Sequence, residues 1–217
     1  SPHFRLKGPY GTYVMENVLF KISFPAESHA QTAVEAAIRL HPQVRDRLDA
    51  IRKIVITTHE SPIRIIDKKG PPGNPADRDH CPQYMTAVGL IKGNLVAADY
   101  EDAVAADPRI DRLRAKMVCV ENKRWTRDYL DPAKRSIANA IQVHFADGGK
   151  TEQVAVEYPV GHRRRRQEGI PLLEAKFRTN LARRFAPRQQ QAILTVTRNQ
   201  ERLEATPVNE FVDLFAT

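Results

Sequence analysis

The chain has 217 residues, 41% hydrophobic and 28% charged, with a net charge of +8 and two cysteines. That length holds one large domain or two small ones, and no window approaches the ~18 uncharged apolar residues of a membrane span. Cys81 and Cys119 are too far apart for a zinc ribbon and too few for a disulfide framework or a cysteine-ligated iron–sulfur cluster, so a reducing cytoplasm is expected.

The opening SPHFRLKGPYG has no apolar signal-peptide core and no initiator Met, and reads as the middle of a longer chain. Val14 to Phe24 reads as a short strand or extended segment stopped by Pro25. Ser28 to Leu40 carries Ala30, Ala33, Val34, Ala37 and Ile38 at helical spacing, and Pro42 is expected to end that helix. One or two further turns are predicted over Val44 to Leu48. Ile51 to Thr57 is a β-branched strand, Pro62 to Asp67 a short helix, and residues 68–75 (KKGPPGNP) a loop. Pro82 to Lys92 is a helix closed by Gly93, and Ala97 to Ala105 is another. Asp107 caps the next helix, with Pro108 at its first position, and Met117 to Glu121 is a strand. Ile137 to Phe145 and Val154 to Tyr158 flank the turn ADGGK and form a hairpin. The fold class is α+β: an antiparallel-rich sheet backed by helices over 1–158, then a C-terminal helical segment over 159–217. Pro171–Phe185, Pro187–Arg198 and Pro207–Phe215 are expected as three helices, each opened by Pro.

The basic excess is uneven. Residues 159–217 carry eleven Lys and Arg against six Asp and Glu, a balance open to nucleic acid, an acidic membrane surface or an anionic small molecule. Aromatics are 7% and do not interleave with the basic residues as base-stacking would need, and nucleic acid ranks lowest for the run GHRRRR, because four arginines without a recognised fold are weak evidence. No HExxH, CxxC, GxxxxGK(S/T), GxGxxG or GxSxG occurs, so zinc protease, P-loop, dinucleotide-binding and serine hydrolase readings lose support.

Three segments carry candidate chemistry. Asn74 to Tyr84 (NPADRDHCPQY) crowds Asp77, Asp79 and His80 against a helix start, with Tyr84 one turn in. A helix start seats anions, and an imidazole and a phenol beside it suit acid/base work. The plainer alternative has Asp77 and Asp79 as caps, His80 in solvent and Tyr84 in the core. Phe20 to Ala33 puts Lys21 near a strand end and Glu27, His29 and Gln31 at a helix start. There the alternative is Glu27 or Ser28 as a cap with His29 on the surface. In Gly161 to Arg166 (GHRRRR), His162 and Arg163 could hold carboxylates, or the run could be a solvated loop paired with Glu168, Glu174 or a partner. His3, His41, His59 and His144 show no partner pattern.

Four long segments, GPYGTYVMENVLFKISFPAESHAQTAVEAA, IIDKKGPPGNPADRDHCPQYMTAV, VAVEYPVGHRRRRQEGIPLLEAKF and LTVTRNQERLEATPVNEFVDLF, resemble the MmgE/PrpD family. The likeness runs nearly end to end and corresponds to the C-terminal part, roughly the second half, of a family member. The family's N-terminal all-helical domain is then missing here, and the helices of 159–217 are expected to pack on it. The resemblance implies a cytoplasmic homodimer that dehydrates 2-methylcitrate to 2-methyl-cis-aconitate in propionate catabolism, with no cofactor, no metal and no iron–sulfur cluster. Neither nucleic acid nor membrane is an expected partner.

The related cis-aconitate decarboxylases share the scaffold and extend the resemblance to site residues. Their lysine matches Lys21, their tyrosine Tyr84, and the histidine four positions before it His80. Their histidine after FPA falls at Glu27, a departure that leaves His29 as the nearby imidazole. Ser28 stands where an aromatic is expected. The candidate set is therefore His29, His80 and Tyr84 for proton transfer, and Lys21, Arg64, His162 and Arg163 for a tricarboxylate. This portion alone should hold half a site and be inactive. The alternatives are a related lyase acting on citrate or cis-aconitate, and a non-catalytic basic module. An enzyme should line one pocket with Lys21, His29, His80 and Tyr84; a module should spread Arg163 to Arg166 on a flat face.

Overall fold

The computed structural model describes residues 22–216. The chain divides into two compact units, one ending at Arg166 and one running from Gln167.

In the first unit, a 3-10 turn over Ser28–Ala30 leads into α1 (Gln31–Val44). Then come β1 (Ile51–Thr58), α2 (Glu60–Ile65), α3 (Pro75–Arg78) and α4 (Pro82–Lys92). They are followed by α5 (Asp102–Ala105), α6 (Pro108–Arg114), β2 (Met117–Glu121), α7 (Lys123–Leu130), β3 (Asn139–Phe145) and β4 (Val154–Val156). The strands form one sheet in the order β2-β1-β3-β4. The β1/β3 and β3/β4 pairings are antiparallel, and β1/β2 is parallel, with Ile54 opposite Met117 and Thr58 opposite Glu121. The expected mixed fold with a mainly antiparallel sheet is what forms. The parallel pair adds a helical crossover that hairpins alone would not give.

α1 packs on β3, β4 and α4. Ile54 and Ile56 of β1 and Ile141 and Val143 of β3 are buried, as are Val34, Ala37 and Leu40 of α1. Small residues let α1 and α4 approach closely: a Cβ added at Gly89 would lie 3.0 Å from that of Ala37. α4 is buried along nearly its whole length, from Pro82 to Leu90. A helix apolar all round belongs in an interior, and this one sends every side chain of its first turns inward. Gly93 ends it in the left-handed region at φ 68°, as its position in the sequence foretells.

Several boundaries differ from expectation. Pro42 does not end α1, which runs on to Val44. It lies so near the terminus that it removes only one of the last helical bonds, and the Arg45 N–H still reaches the His41 carbonyl at 2.9 Å. The loop 68–75 yields α3 at its end, capped by the Asn74 side chain. The span 97–105 splits into a 3-10 turn and α5. α7, unassigned in the sequence, is capped by Asn122, whose side chain accepts from the Arg124 and Trp125 N–H groups. Residues 22–24 form no strand, and 14–21 lie outside the described residues.

α8 (Arg166–Ala182) begins the tail and takes Pro171 inside it rather than at its start. In the second unit α9 (Pro187–Thr197), α10 (Gln200–Ala205) and α11 (Val208–Asp213) follow, α10 being an added short helix. Leu181, Ile193 and Leu194 form a small core with Phe177, Phe185, Leu214 and Phe215. No helix among the described residues is long and apolar enough to cross a membrane.

Candidate active site

The parallel strands β1 and β2 end side by side, and the side chains of interest gather at that end. β1 runs out at Thr58 into His59, the residue before α2. The Asn122 N–H at the exit of β2 donates to the Thr58 carbonyl at 2.7 Å, which sets α7 beside α2. The Glu60 N–H donates to Thr126 Oγ1 at 3.0 Å and fixes the two helices further.

The start of α1 is held to the same end of the sheet. Thr32 Oγ1 donates to the Ile137 carbonyl at 2.6 Å, and Asn139 Nδ2 donates to the His29 carbonyl at 2.7 Å. Gln31 Nε2 ties back the preceding FPA segment through the carbonyls of Phe24 and Ala26. Glu27 is both cap and partner: its carboxylate accepts from the His29 N–H at 2.7 Å and from His29 Nδ1 at 2.8 Å. Burial acts to raise the Glu27 pKa, but the hydrogen bonds and charge of His29, with that of His80, outweigh it and hold the carboxyl below its usual range.

An ionised carboxylate can only accept, so His29 Nδ1 carries a hydrogen. The other ring nitrogen, Nε2, lies 3.1 Å from the Tyr129 hydroxyl. His59 closes the cluster, with its ring stacked on Tyr129 at 4.5 Å between centroids and 5.4 Å from that of His29. His59 is 0% exposed, and neither of its ring nitrogens is in hydrogen-bond geometry. The Ala138 backbone and Glu27 favour its protonated form, but burial and the charge of His29 push its pKa down to about 4.

A second imidazole, that of His80, lies close enough to Glu27 for its charge to act there. The Glu27 N–H donates to the Asp79 carbonyl at 3.2 Å, and the Asp79 side chain holds His80 Nδ1 at 2.5 Å. His80 is half exposed. Two carboxylate-held imidazoles thus adjoin through one backbone contact, one leading to a phenol.

The structure brings together the segments that carry His29 and His80, through the Glu27–Asp79 backbone contact, and gives the other expected residues different surroundings. Tyr84 is 1% exposed, and its hydroxyl donates to the Asp99 carbonyl at 2.6 Å. Its ring stacks with Tyr100, and burial pushes its phenol up to about 12. The α4 helix is buried on all sides, so a first-turn tyrosine points into the core, and its proton is committed there. Arg64 is exposed and pairs with Glu60 at 3.5 Å. Arg163 is exposed, while Arg164 donates to the Ala133 carbonyl at 2.8 Å. Arg165 is tied to Glu35 and the Tyr158 carbonyl, so the arginine run is largely structural rather than a flat basic face. His162 is buried, accepts from the Arg164 N–H, and lies against Tyr158. Burial and then the charges of Arg163, Arg164 and Arg166 lower its pKa to about 4, so it is a poor cation for a carboxylate. Lys21 lies outside the described residues.

His59 and Tyr129 were not found by sequence reasoning. His59 gave no spacing signal. Tyr129 could have been reached through Asn122, whose capping role predicts α7.

His59 and His162 also make stability pH-dependent. Each has a folded pKa near 4 against an ordinary 6.5. Between those values the unfolded chain binds more protons, so stability is full above about 6.5 and lost as pH falls toward 4. The groups facing His59 are His29, Glu27 and Tyr129; those facing His162 are the three arginines and Glu157. The urea midpoint should fall across that window, and His59→Gln should flatten the slope. A midpoint unchanged by pH would contradict the burial of neutral imidazoles.

Residues 24–202 match the MmgE/PrpD C-terminal domain. The chain is 64% identical to a 2-methylcitrate dehydratase of Cupriavidus necator, over 98% of this chain and 45% of that protein. It is 61% identical to the 2-methylcitrate dehydratase of Escherichia coli K12, over 98% of this chain and 44% of that protein. A mitochondrial 2-methylcitrate dehydratase of Yarrowia lipolytica is 52% identical over 98% of this chain and 41% of its own length. The chain thus spans less than half the length of these curated relatives.

Proposed function

The chain belongs to the MmgE/PrpD family, and from that premise we propose that it forms the catalytic half of a hydro-lyase that converts 2-methylcitrate to 2-methyl-cis-aconitate and water. The observation that carries the proposal is the adjacent pair Glu27–His29 and Asp79–His80. Dehydration removes a proton from carbon beside a carboxylate and gives one to a departing hydroxide. Each transfer needs a positioned group that titrates near neutrality, and imidazole is the side chain that does so. Glu27 and Asp79 orient the two rings and stabilise the imidazolium that forms, as the carboxylate does in hydrolytic triads.

A tricarboxylate also needs cations, and Arg64 and Arg163 are the exposed arginines carried into this reading. More than half of each relative lies outside the region this chain matches. That part would complete the substrate pocket, cover the exposed apolar residues of the tail (Ile170, Leu172, Val208, Val212) and complete a homodimer in the cytoplasm.

The test joins this chain to the rest of the Cupriavidus necator relative in place of its matching segment. Product formation is followed by the ultraviolet absorbance of the conjugated acid. The chimaera should turn over 2-methylcitrate at a rate comparable to the relative's own. A folded chimaera that acts only on citrate or cis-aconitate, or on none of the three, would sink the proposal.

A further inference from the structure

Resting on the reading above, we infer that Tyr129 is the catalytic group of the His29 arm: its phenol oxygen takes the proton from carbon and passes its own to His29. The inference comes from which atoms are already occupied. Glu27 holds His29 Nδ1 at 2.8 Å and, as a carboxylate, can only accept. The neutral ring then has one lone pair, on Nε2, and the Tyr129 hydroxyl lies 3.1 Å from it. The phenol must be the donor in that contact. A proton from substrate therefore reaches the Tyr129 oxygen, which gives up its own hydrogen to the basic nitrogen of His29, as a triad serine gives its hydroxyl proton to its histidine.

The surroundings suit this role. His59, fully buried and stacked on Tyr129 at 4.5 Å, is a wall that fixes the phenol ring. α7, which carries Tyr129, is tied to the end of β1 through Asn122 and Thr126. Tyr129 itself is half-buried, in contact with His59, which is closed off from solvent, and with His29, which is not.

The step balances as follows. The phenol oxygen accepts the proton from carbon while the phenol proton moves to His29 Nε2, giving an imidazolium paired with Glu27. The electrons of the broken C–H bond form the second bond of the alkene. The C–O bond breaks, and the departing hydroxide takes a proton from the His80 imidazolium and leaves as water. His29 then returns its proton to solvent, and His80 regains one.

Tyr129→Phe in the chimaera keeps the ring on His59 and removes only the oxygen. It should lower kcat about 10²–10⁴-fold with KM unchanged, and abolish exchange of the substrate's carbon-bound hydrogen with deuterated solvent. Combining it with Glu27→Gln should cost no more than the worse single substitution, because residues acting as one unit are not additive. 3-Fluorotyrosine at position 129 keeps fold and hydroxyl while making the phenol more acidic, and should change kcat at constant KM. Tyr129→Phe with undiminished kcat, additive losses in the double variant, or a fluorinated protein with unaltered kcat would each overturn the inference. The first outcome in a chimaera that still dehydrates 2-methylcitrate leaves the dehydratase reading standing; an unsubstituted chimaera without turnover removes that reading first.

Discussion

His29→Asn lowers turnover of 2-methylcitrate about 10²–10⁴-fold while leaving the melting temperature close to that of the parent. The asparagine amide nitrogen can occupy the place of His29 Nδ1 and still donate to Glu27, which receives that bond at 2.8 Å. What disappears is Nε2, the atom facing the Tyr129 hydroxyl. The variant therefore separates chemistry from scaffolding at one position. The 3-10 turn keeps its cap, because Glu27 also accepts from the backbone N–H of residue 29. Activity retained within an order of magnitude would show that proton transfer runs elsewhere. A large drop in melting temperature would show that His29 serves the fold.

Glu35→Ala should cost about 3 kcal/mol of stability, the scale expected when one member of a largely buried ion pair is removed. Arg165 reaches Glu35 with two nitrogens, at 2.8 and 3.0 Å, and donates to the Tyr158 carbonyl at 2.6 Å. The two side chains are only 15% and 12% exposed. Without the carboxylate, a guanidinium already removed from water loses its counter-charge. Exchanging both partners for apolar residues of similar shape should cost far less, since no orphaned charge remains. Arg163→Ala, by contrast, should shift stability by no more than about 0.5 kcal/mol, because that side chain is exposed. Urea midpoints of the four proteins decide the matter. Equal losses for Glu35→Ala and Arg163→Ala would mean that the arginine run acts as a diffuse charge rather than through one fixed contact.

What could be read from the sequence was what local chemistry decides. Pro82 and Gly93 bracket α4 because one lacks an N–H that the first turn does not need and the other accepts a left-handed φ. The turn ADGGK joins β3 to β4 for a comparable local reason. The sequence marks His29 and His80 by their places at helix starts, and their contacts with Glu27 and Asp79 are local, each within two positions along the chain. His59 and Tyr129 are not so marked, because their meeting with His29 spans up to 100 positions and depends on the parallel pairing of β1 with β2. For Tyr84 the sequence leaves open both a site and a core position, and the structure buries it. A position in the first turn of a helix says where the residue is, but not that the whole helix is enclosed. Pro42 and Pro171 mark boundaries in the sequence, yet each is carried inside a helix, Pro42 in the last turn of α1 and Pro171 in the second turn of α8.

The order of strands in the sheet has a consequence for synthesis. β1 is the earliest described strand to be made, yet it lies between β2 and β3, the strands over 117–121 and 139–145. At ribosomal speeds of about 5–20 residues per second, its second neighbour follows on the order of ten seconds later. Throughout that interval Ile51–Thr58, rich in β-branched residues, has one or both edges open to other nascent chains. The charges at Arg52 and Lys53 stand at the start of this segment, where they act as gatekeepers against pairing with a wrong partner.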